Sequence, residues 1–320
     1  MSMDKDQIKE LGNLAIGFHD APDEPALDFS MQALLAVDQS DDPQKRAAVL
    51  DVFAEFQKTF ADDVGAYQKR NANRLSPIKG DGFVDYYRKL MADLDPAEDE
   101  FSIHLTDPDI PPSHAAQAFL AGTDDLDEVP YSTVMAHVPL EWFADHDAEW
   151  IALMLDWCNR LKPVKGTIGI AMTTEAGMMR ARFREQWPYL ARFPGLDDEV
   201  AFFEANCVTG KIGSVNWLTI LNDELLAGIG GLDDLTSALG DAAKIHKWDG
   251  GVLIQAGDLP DIGDRNADLW PTAYCAVNDA LRPIRFEDYP NTPMALLNVP
   301  EPLDPYEETL RWVRRFDREE

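Results

Sequence analysis

Between Lys89 and Arg160 the chain has no lysine or arginine: residues 90–159 hold sixteen Asp or Glu and not one of either base. That absence excludes the stretch from gripping a phosphate backbone, because such binding needs Lys and Arg to release counterions. The whole chain has the same bias, with 28 basic against 58 acidic residues and a formal charge of −30, so no nucleic-acid partner is expected. Cysteine is scarce as well. Cys158, Cys207 and Cys275 form no CxxC pair and are odd in number, which reads as buried reduced thiols in a cytosolic chain. No segment approaches the ~20 apolar residues of a membrane span, and the opening MSMDKDQIKELG lacks the apolar centre of a secretory signal. The expected location is the cytoplasm, with no membrane partner.

Motifs of catalysis are missing too. GIGGLDDL, residues 228–235, is the nearest approach to a phosphate loop, but no Lys follows it, and Asp233 and Asp234 in the next turn would repel a phosphate. Ser132 and Ser214 lack a nucleophile elbow, and no HExxH is present. A metal site can be drawn from His104, Asp107, Asp109 and His114 within HLTDPDIPPSH, which makes a metal-dependent hydrolase the alternative reading. That spacing has no known mechanical reason, and strand-borne histidines facing solvent or backbone acceptors are the simpler account. No cofactor and no catalytic residue are expected.

What is present is a foldable chain of 320 residues, 45% of them apolar, enough for one large domain or two ordinary ones. FSMQALLAV (29–37) has the length and density of a buried strand. Asp41, Asp42 and Pro43 then signal a helix start, and Val49, Phe53, Phe56 and Phe60 recur at helical spacing. FSIHLT (101–106), HAAQAFLA (114–121) and STVMAHVPL (132–140) predict three consecutive strands in an antiparallel meander. A long helix follows, with Trp142, Trp150, Leu153, Met154, Trp157 and Leu161 along one side. GTIGIAMTT predicts a strand, the segment after it a helix ending at Pro188, and VNWLTIL, IHKW and GVLIQAG three more strands. PTAYCAVNDALRP starts a helix at Pro271, and DPYEETLRWVRRF is a last one, capped by Asp304, Pro305 and Glu307, with Tyr306, Leu310, Val313 and Phe316 as its buried stripe.

The pattern predicts an α+β fold, a mixed and largely antiparallel sheet with helices packed on it. We expect an N-terminal arm over 1–27, one domain over 28–290 with possible related halves 28–165 and 166–290, and a C-terminal helix within 291–320 packed on that domain. There is no fixed-period repeat.

The charge remains to be explained. A net of −30 far exceeds the roughly 2 to 8 that keeps a small domain soluble. Its clustering, together with eight Trp and fifteen Phe, argues against adaptation to salt and for a positive partner. A carboxylate array can imitate nucleic acid and occupy a basic groove, with association steered by the opposing fields.

The C-terminal half resembles a known family. VNWL at Val215–Leu218, LAGIGG at Leu226–Gly231, LIQAGDLPDIGDRN at Leu253–Asn266 and LRPIRF at Leu281–Phe286 occur in the order and spacing of the type VI secretion immunity family (TsiV-like), catalogued as immunity to nuclease-type effectors. The likeness continues more loosely upstream to about Phe29. It implies a protein that binds and neutralises a cognate type VI toxin, including DNA-cleaving toxins of the restriction-endonuclease type, and it brings no catalytic motif with it. The matched motifs are expected to support the scaffold, with Gly228, Gly230 and Gly231 ending a helix at positive φ, and Asp258, Asp261, Asp264 and Arg265 making either a local Asp to Arg pair or a partner contact. The partner surface is expected on the acidic loops: Glu98, Asp99, Glu100, Asp107, Asp109, Asp124, Asp125, Asp127 and Glu128. Tyr131, Trp142 or another nearby aromatic is the expected central anchor, since binding hot spots favour aromatics.

Reversing the charge of Asp124 and Asp125 together is expected to slow association with the toxin and flatten its salt dependence. Stopped-flow association across a salt series checks this, and unchanged kinetics would remove the pair from the interface.

Overall fold

A computed structural model describes residues 3–72, 74–108, 112–121, 131–174, 179–198 and 208–317. Its centre is β2 (Pro25–Val37), thirteen residues of which nearly all are buried. That burial means both of its faces are covered, which explains why PALDFSMQALLAV lacks the polar alternation of a half-exposed antiparallel strand. β2 pairs antiparallel with β7 (Ser132–Pro139) through Leu34↔Met135 and with β8 (Lys165–Thr173) through Leu34↔Thr167. From β7 the sheet continues through β6 (Ala115–Leu120), β5 (Phe101–Thr106), β3 (Ala66–Gln68) and β4 (Leu75–Pro77). From β8 it continues through β9 (Leu218–Asn222) and β11 (Gly251–Gln255) to β10 (Lys244–Trp248), while β1 (Ala15–Gly17) pairs with the start of β2. Every one of these ladders is antiparallel. The β5–β6–β7 meander and the α+β class match the sequence expectation. β10 and β11 are joined by Asp249–Gly250, a pair suited to the positive φ of a tight hairpin turn.

Ten helices of the described residues pack around this sheet: α1 (Lys5–Gly12), α2 (Pro43–Thr59), α3 (Gly82–Asp93), α4 (Leu140–Asp145), α5 (Asp147–Leu161), α6 (Phe183–Arg192), α7 (Asp223–Ala227), α8 (Leu232–Leu239), α9 (Thr272–Leu281) and α10 (Pro305–Val313). α2 begins as its sequence signals, with the Asp42 carboxylate accepting from the Gln44 N–H and Pro43 in the first turn. Val49, Phe53 and Phe56 then enter the core, where Trp157 of α5 lies 5.8 Å from Phe53 and 6.3 Å from Phe56, ring centre to ring centre. In the first two dozen residues, Ile8 and Ile16 join the same core.

Four local expectations are corrected. The single helix expected after β7 is two, α4 and α5, broken at His146: its ring Nδ1 takes the Trp142 carbonyl at 2.8 Å, the oxygen a continuing helix would offer to the His146 N–H. α6 runs through Pro188 instead of ending there, and a 3-10 turn over Met179–Arg182 precedes it. VNWL is not all strand. β9 starts at Leu218, because Asn216 folds its side chain onto its own neighbour, Oδ1 accepting from the Trp217 N–H at 2.7 Å. Asn216 lies over β8, where a Cβ on Gly169 would stand 2.1 Å from its Oδ1. In α10 the fully buried positions include Thr309, Trp312 and Val313, with Tyr306 and Leu310 only half-buried.

The C-terminal tail is tied into the fold by Arg315. Its guanidinium is buried, donates to the Pro194 carbonyl at 2.6 Å and the Trp312 carbonyl at 3.0 Å, and lies 3.7 Å over the Trp312 ring. Beside it sits the buried Asp197, whose backbone N–H bonds the Ile170 carbonyl of β8.

Trp217 is fully buried, 5.2 Å edge-on from Phe143, and belongs to the scaffold and not to the surface. Trp217→Ala is expected to lower stability by about 3–5 kcal/mol, read as a fall in the urea midpoint, and a shift below about 1 kcal/mol would contradict that placement.

Candidate functional site

The acidic run spans the end of α3, β5 to β7, α4 and α5, and the rest of the chain supplies the cations it lacks. α1 lays Lys5 on Asp147 at 2.5 Å and Lys9 on Asp145 at 2.7 Å. Arg70 reaches Asp99 at 3.1 Å, and Arg160 reaches Asp156 at 3.2 Å. Part of the surplus therefore holds the fold's own segments. Asp93, Glu98, Glu100, Glu141 and Glu149 are exposed and make no ion pair among the described residues.

Beneath the run lies a cation that sequence reasoning missed. Arg46 of α2 is fully buried, and its guanidinium donates to the carbonyls of Ser40 (2.7 Å), Pro96 (3.3 Å), Asp99 (2.9 Å) and Ala121 (3.3 Å). Burial lowers its pKa from the usual arginine value. One planar fork thus pins the 95–100 loop and the end of β6, a geometry that a point-charge lysine does not reproduce. The only sequence signal was an Arg on the helix's apolar side, three residues before Val49.

The expected partner residues separate into distinct environments. Glu98 and Glu100 are exposed, and Glu100 accepts from the Ser102 hydroxyl. Asp99 is shared between Arg70 and the Asp95 N–H, which together hold its carboxyl below the usual range. Asp107 is buried at 3% exposure and accepts from the Ser113 hydroxyl at 2.6 Å and the His114 N–H at 2.8 Å. Its carboxylate is thus turned inward and tied to Ser113 and His114. Tyr131 is half-buried against Leu34, Ala36 and Met135, with the Lys165 ammonium 5.5 Å from its ring. Trp142 is occupied on its flanks by His146, stacked at 4.8 Å, and by Phe60 at 4.9 Å. Phe119 on β6 is 42% exposed. Asp109, Asp124, Asp125, Asp127 and Glu128 lie outside the described residues, as does Cys207, while Cys158 and Cys275 are buried free thiols.

The histidines answer to structural partners. His137 is buried on β7 and donates Nε2–H to the Pro112 carbonyl at 3.0 Å, and burial drives its pKa down to about 4. His104 pairs with Gln68 at 3.2 Å and is likewise lowered to about 4 by burial. His114 sits against the Phe60 ring at 4.9 Å, with Asp63 and Asp107 each 3.9 Å from one of its nitrogens. Among the described residues no group of three His, Cys, Asp or Glu could hold a metal ion, so His104, Asp107 and His114 do not assemble the centre drawn from the sequence. Nor is any helix of the described residues long and apolar enough to cross a membrane.

The family motifs carry structure as well. Gly230 and Gly231 adopt φ of 90° and 89°, a conformation that favours glycine, whereas Gly228 is helical at −62° and is needed for closeness, a Cβ there standing 3.0 Å from Ile284. The Asp to Arg pair expected within 258–265 is made elsewhere: Asp264 takes both Nε and Nη2 of Arg192, Asp258 pairs with Lys244, and Arg265 donates to the Ala191 carbonyl.

A large antiparallel sheet with ten helices of the described residues packed around it makes this an α+β protein. The profile of the TsiV family, described as type VI immunity for VRR-NUC, matches residues 48–316, and the chain belongs to that family. A solved structure from Pseudomonas aeruginosa, described as T6SS protein PA0821, shares the fold with a TM-score of 0.80 at 23% identity, over 98% of this chain and 91% of that one. No curated protein matches the sequence.

Two outcomes test this architecture. Arg46→Lys is expected to cost about 1–3 kcal/mol by leaving buried carbonyls without donors, measured by urea unfolding; an unchanged midpoint would contradict its anchoring role. A histidine held near 4 in the folded chain and near 6.5 when unfolded leaves the unfolded state binding more protons between those values. Stability should therefore fall as pH drops from about 6.5 to about 4, by about 3 kcal/mol for full titration of His137. His137→Gln should lose less stability over that window than the parent; parallel losses would place the acid sensitivity elsewhere.

Proposed function

We propose that this protein neutralises a VRR-NUC nuclease toxin delivered by a type VI apparatus, by laying carboxylates of the 90–159 region over the toxin's basic DNA-binding surface. It acts as a stoichiometric inhibitor and not as an enzyme. The observation that carries this is the charge balance of the acidic run: it has no Lys or Arg of its own, and the cations sent from α1, Arg70 and Arg160 leave Glu98, Glu100, Glu141 and Glu149 without ion pairs among the described residues. A nuclease groove is built to attract polyanions, so opposed fields speed encounter and fix orientation, while buried contacts set the lifetime of the complex. Arg46 keeps the 95–100 loop and the end of β6 ordered before binding, which lowers the entropy lost on association. Protection would take place in the cytoplasm, where the DNA is.

Co-expression with the VRR-NUC toxin of the same genome, followed by size-exclusion chromatography and a DNA-cleavage assay, tests the reading. The expected result is a stoichiometric complex in which cleavage is abolished, with association slowing as salt rises. Cleavage unaffected by an equimolar or tenfold amount of this protein would overturn it.

A further inference from the structure

Residues 66–89, just before the acidic run, carry six Lys or Arg and two Asp, the reverse of the chain's bias. They include β3, β4 and most of α3, at the end of the sheet. Because Gln68 pairs with Leu75, the hairpin turn spans residues 69–74 and gathers Lys69, Arg70 and Arg74, all three exposed. α3 holds this turn in place: the Tyr86 hydroxyl accepts from the Arg70 N–H at 2.8 Å, and the Tyr87 hydroxyl donates to the Gln68 carbonyl at 2.6 Å. Gln68 closes it further, Nε2 donating to the Ala72 carbonyl at 3.1 Å.

The fold does not use up the first two of these cations. Lys69 makes no ion pair among the described residues, and its ammonium lies 5.8 Å from the centre of the Tyr67 ring and 5.7 Å from that of Tyr86, which positions the charge without neutralising it. Arg70 gives Nη2 to Asp99 at 3.1 Å, and its other guanidinium donors have no partner among the described residues. Both line a groove of about 610 Å³ with Gln68, Tyr87, Ser102 and His104. Glu100 is the one acid lining it among the described residues, and it accepts from the Ser102 hydroxyl. The groove is therefore a positive site within a negative surface.

We propose that this groove is the specificity site of the immunity surface, and that its occupant is an acidic segment of the cognate toxin whose carboxylates meet Lys69 and the remaining donors of Arg70. The assignment rests on the immunity reading and adds what selects the partner. An unbroken carboxylate surface attracts every basic protein alike. Cations fixed within it repel a protein that brings a base to this point and admit one that brings an acid. Tyr86, Tyr87 and Gln68 order the turn before binding, so little entropy is lost in presenting the charges. A second copy of this chain is a poor occupant, since two copies at −30 each repel one another.

The test uses the full chain and its cognate toxin, with affinity measured by calorimetry, and it turns on sign. Lys69→Glu makes the chain more acidic, which would tighten binding to a uniformly basic surface; here it is expected to weaken binding at least about tenfold, and Lys69→Gln by less. Lys247→Glu makes the same change at an exposed residue of β10, at the other end of the sheet, and should bind at least as tightly as the parent. Melting temperatures should match the parent's, since both lysines are exposed. Hydrogen exchange on the unmutated chain gives an independent reading, with slowed exchange expected over residues 66–77 in the complex. Wild-type inhibition of cleavage combined with a Lys69→Glu loss below about tenfold, an equal loss in Lys247→Glu, or no added protection over 66–77 would overturn this site while leaving the immunity reading standing. So would a dimer of the chain alone that Lys69→Glu dissolves in sedimentation, because a second copy would then fill the groove. A wild-type chain that neither binds nor inhibits would overturn both.

Discussion

The structure depends on one strand buried from both sides. β2 is the seam where the meander β7–β6–β5 and the later strands β8 and β9 meet, and its side chains alternate between the helix-covered core and the opposite face. Leu27, Phe29, Met31, Ala33, Leu35 and Val37 go to the first, and Ser30, Gln32, Leu34 and Ala36 to the second, nearly all excluded from water. Because a slip of one residue would exchange the two sets, the register Leu34↔Met135 and Leu34↔Thr167 sets the relation of everything on either side.

Around β8 and β9 the second face is closed by the segment after α6 and by the C-terminal tail, and buried polar groups there find partners in Asp197, Asn216 and Arg315. Around β3, β5 and β6 it stays accessible, with Gln68 and Phe119 exposed and His104 and Gln117 half-buried. On the acidic side the ordering group is Arg46. Its Nε and Nη2 donate to four backbone carbonyls and so order loops whose carboxylates would otherwise repel one another.

Much of the element order was legible in local chemistry. Asp42 and Pro43 announced α2, Asp304 and Pro305 announced α10, and the meander strands were bounded by Asp- and Pro-rich turns. Misreadings arose where a side chain captured a backbone group. His146 took a helix carbonyl and split one helix into two, and Asn216 took the Trp217 N–H and shortened a strand. Propensity does not record such captures, since they depend on a rotamer chosen by packing.

The sequence by itself determined the fold class and the family, because apolar periodicity and motif order are properties of the chain before it folds. Only the tertiary structure decided which carboxylates are held in ion pairs. Lys5 and Lys9 are more than a hundred residues from Asp147 and Asp145 in sequence, yet pair with them in space. Asp107, drawn from sequence as a surface acid, is buried and accepts from Ser113 and His114. The physical reason is that strand alternation specifies two faces, while which face is covered depends on where distant segments come to rest.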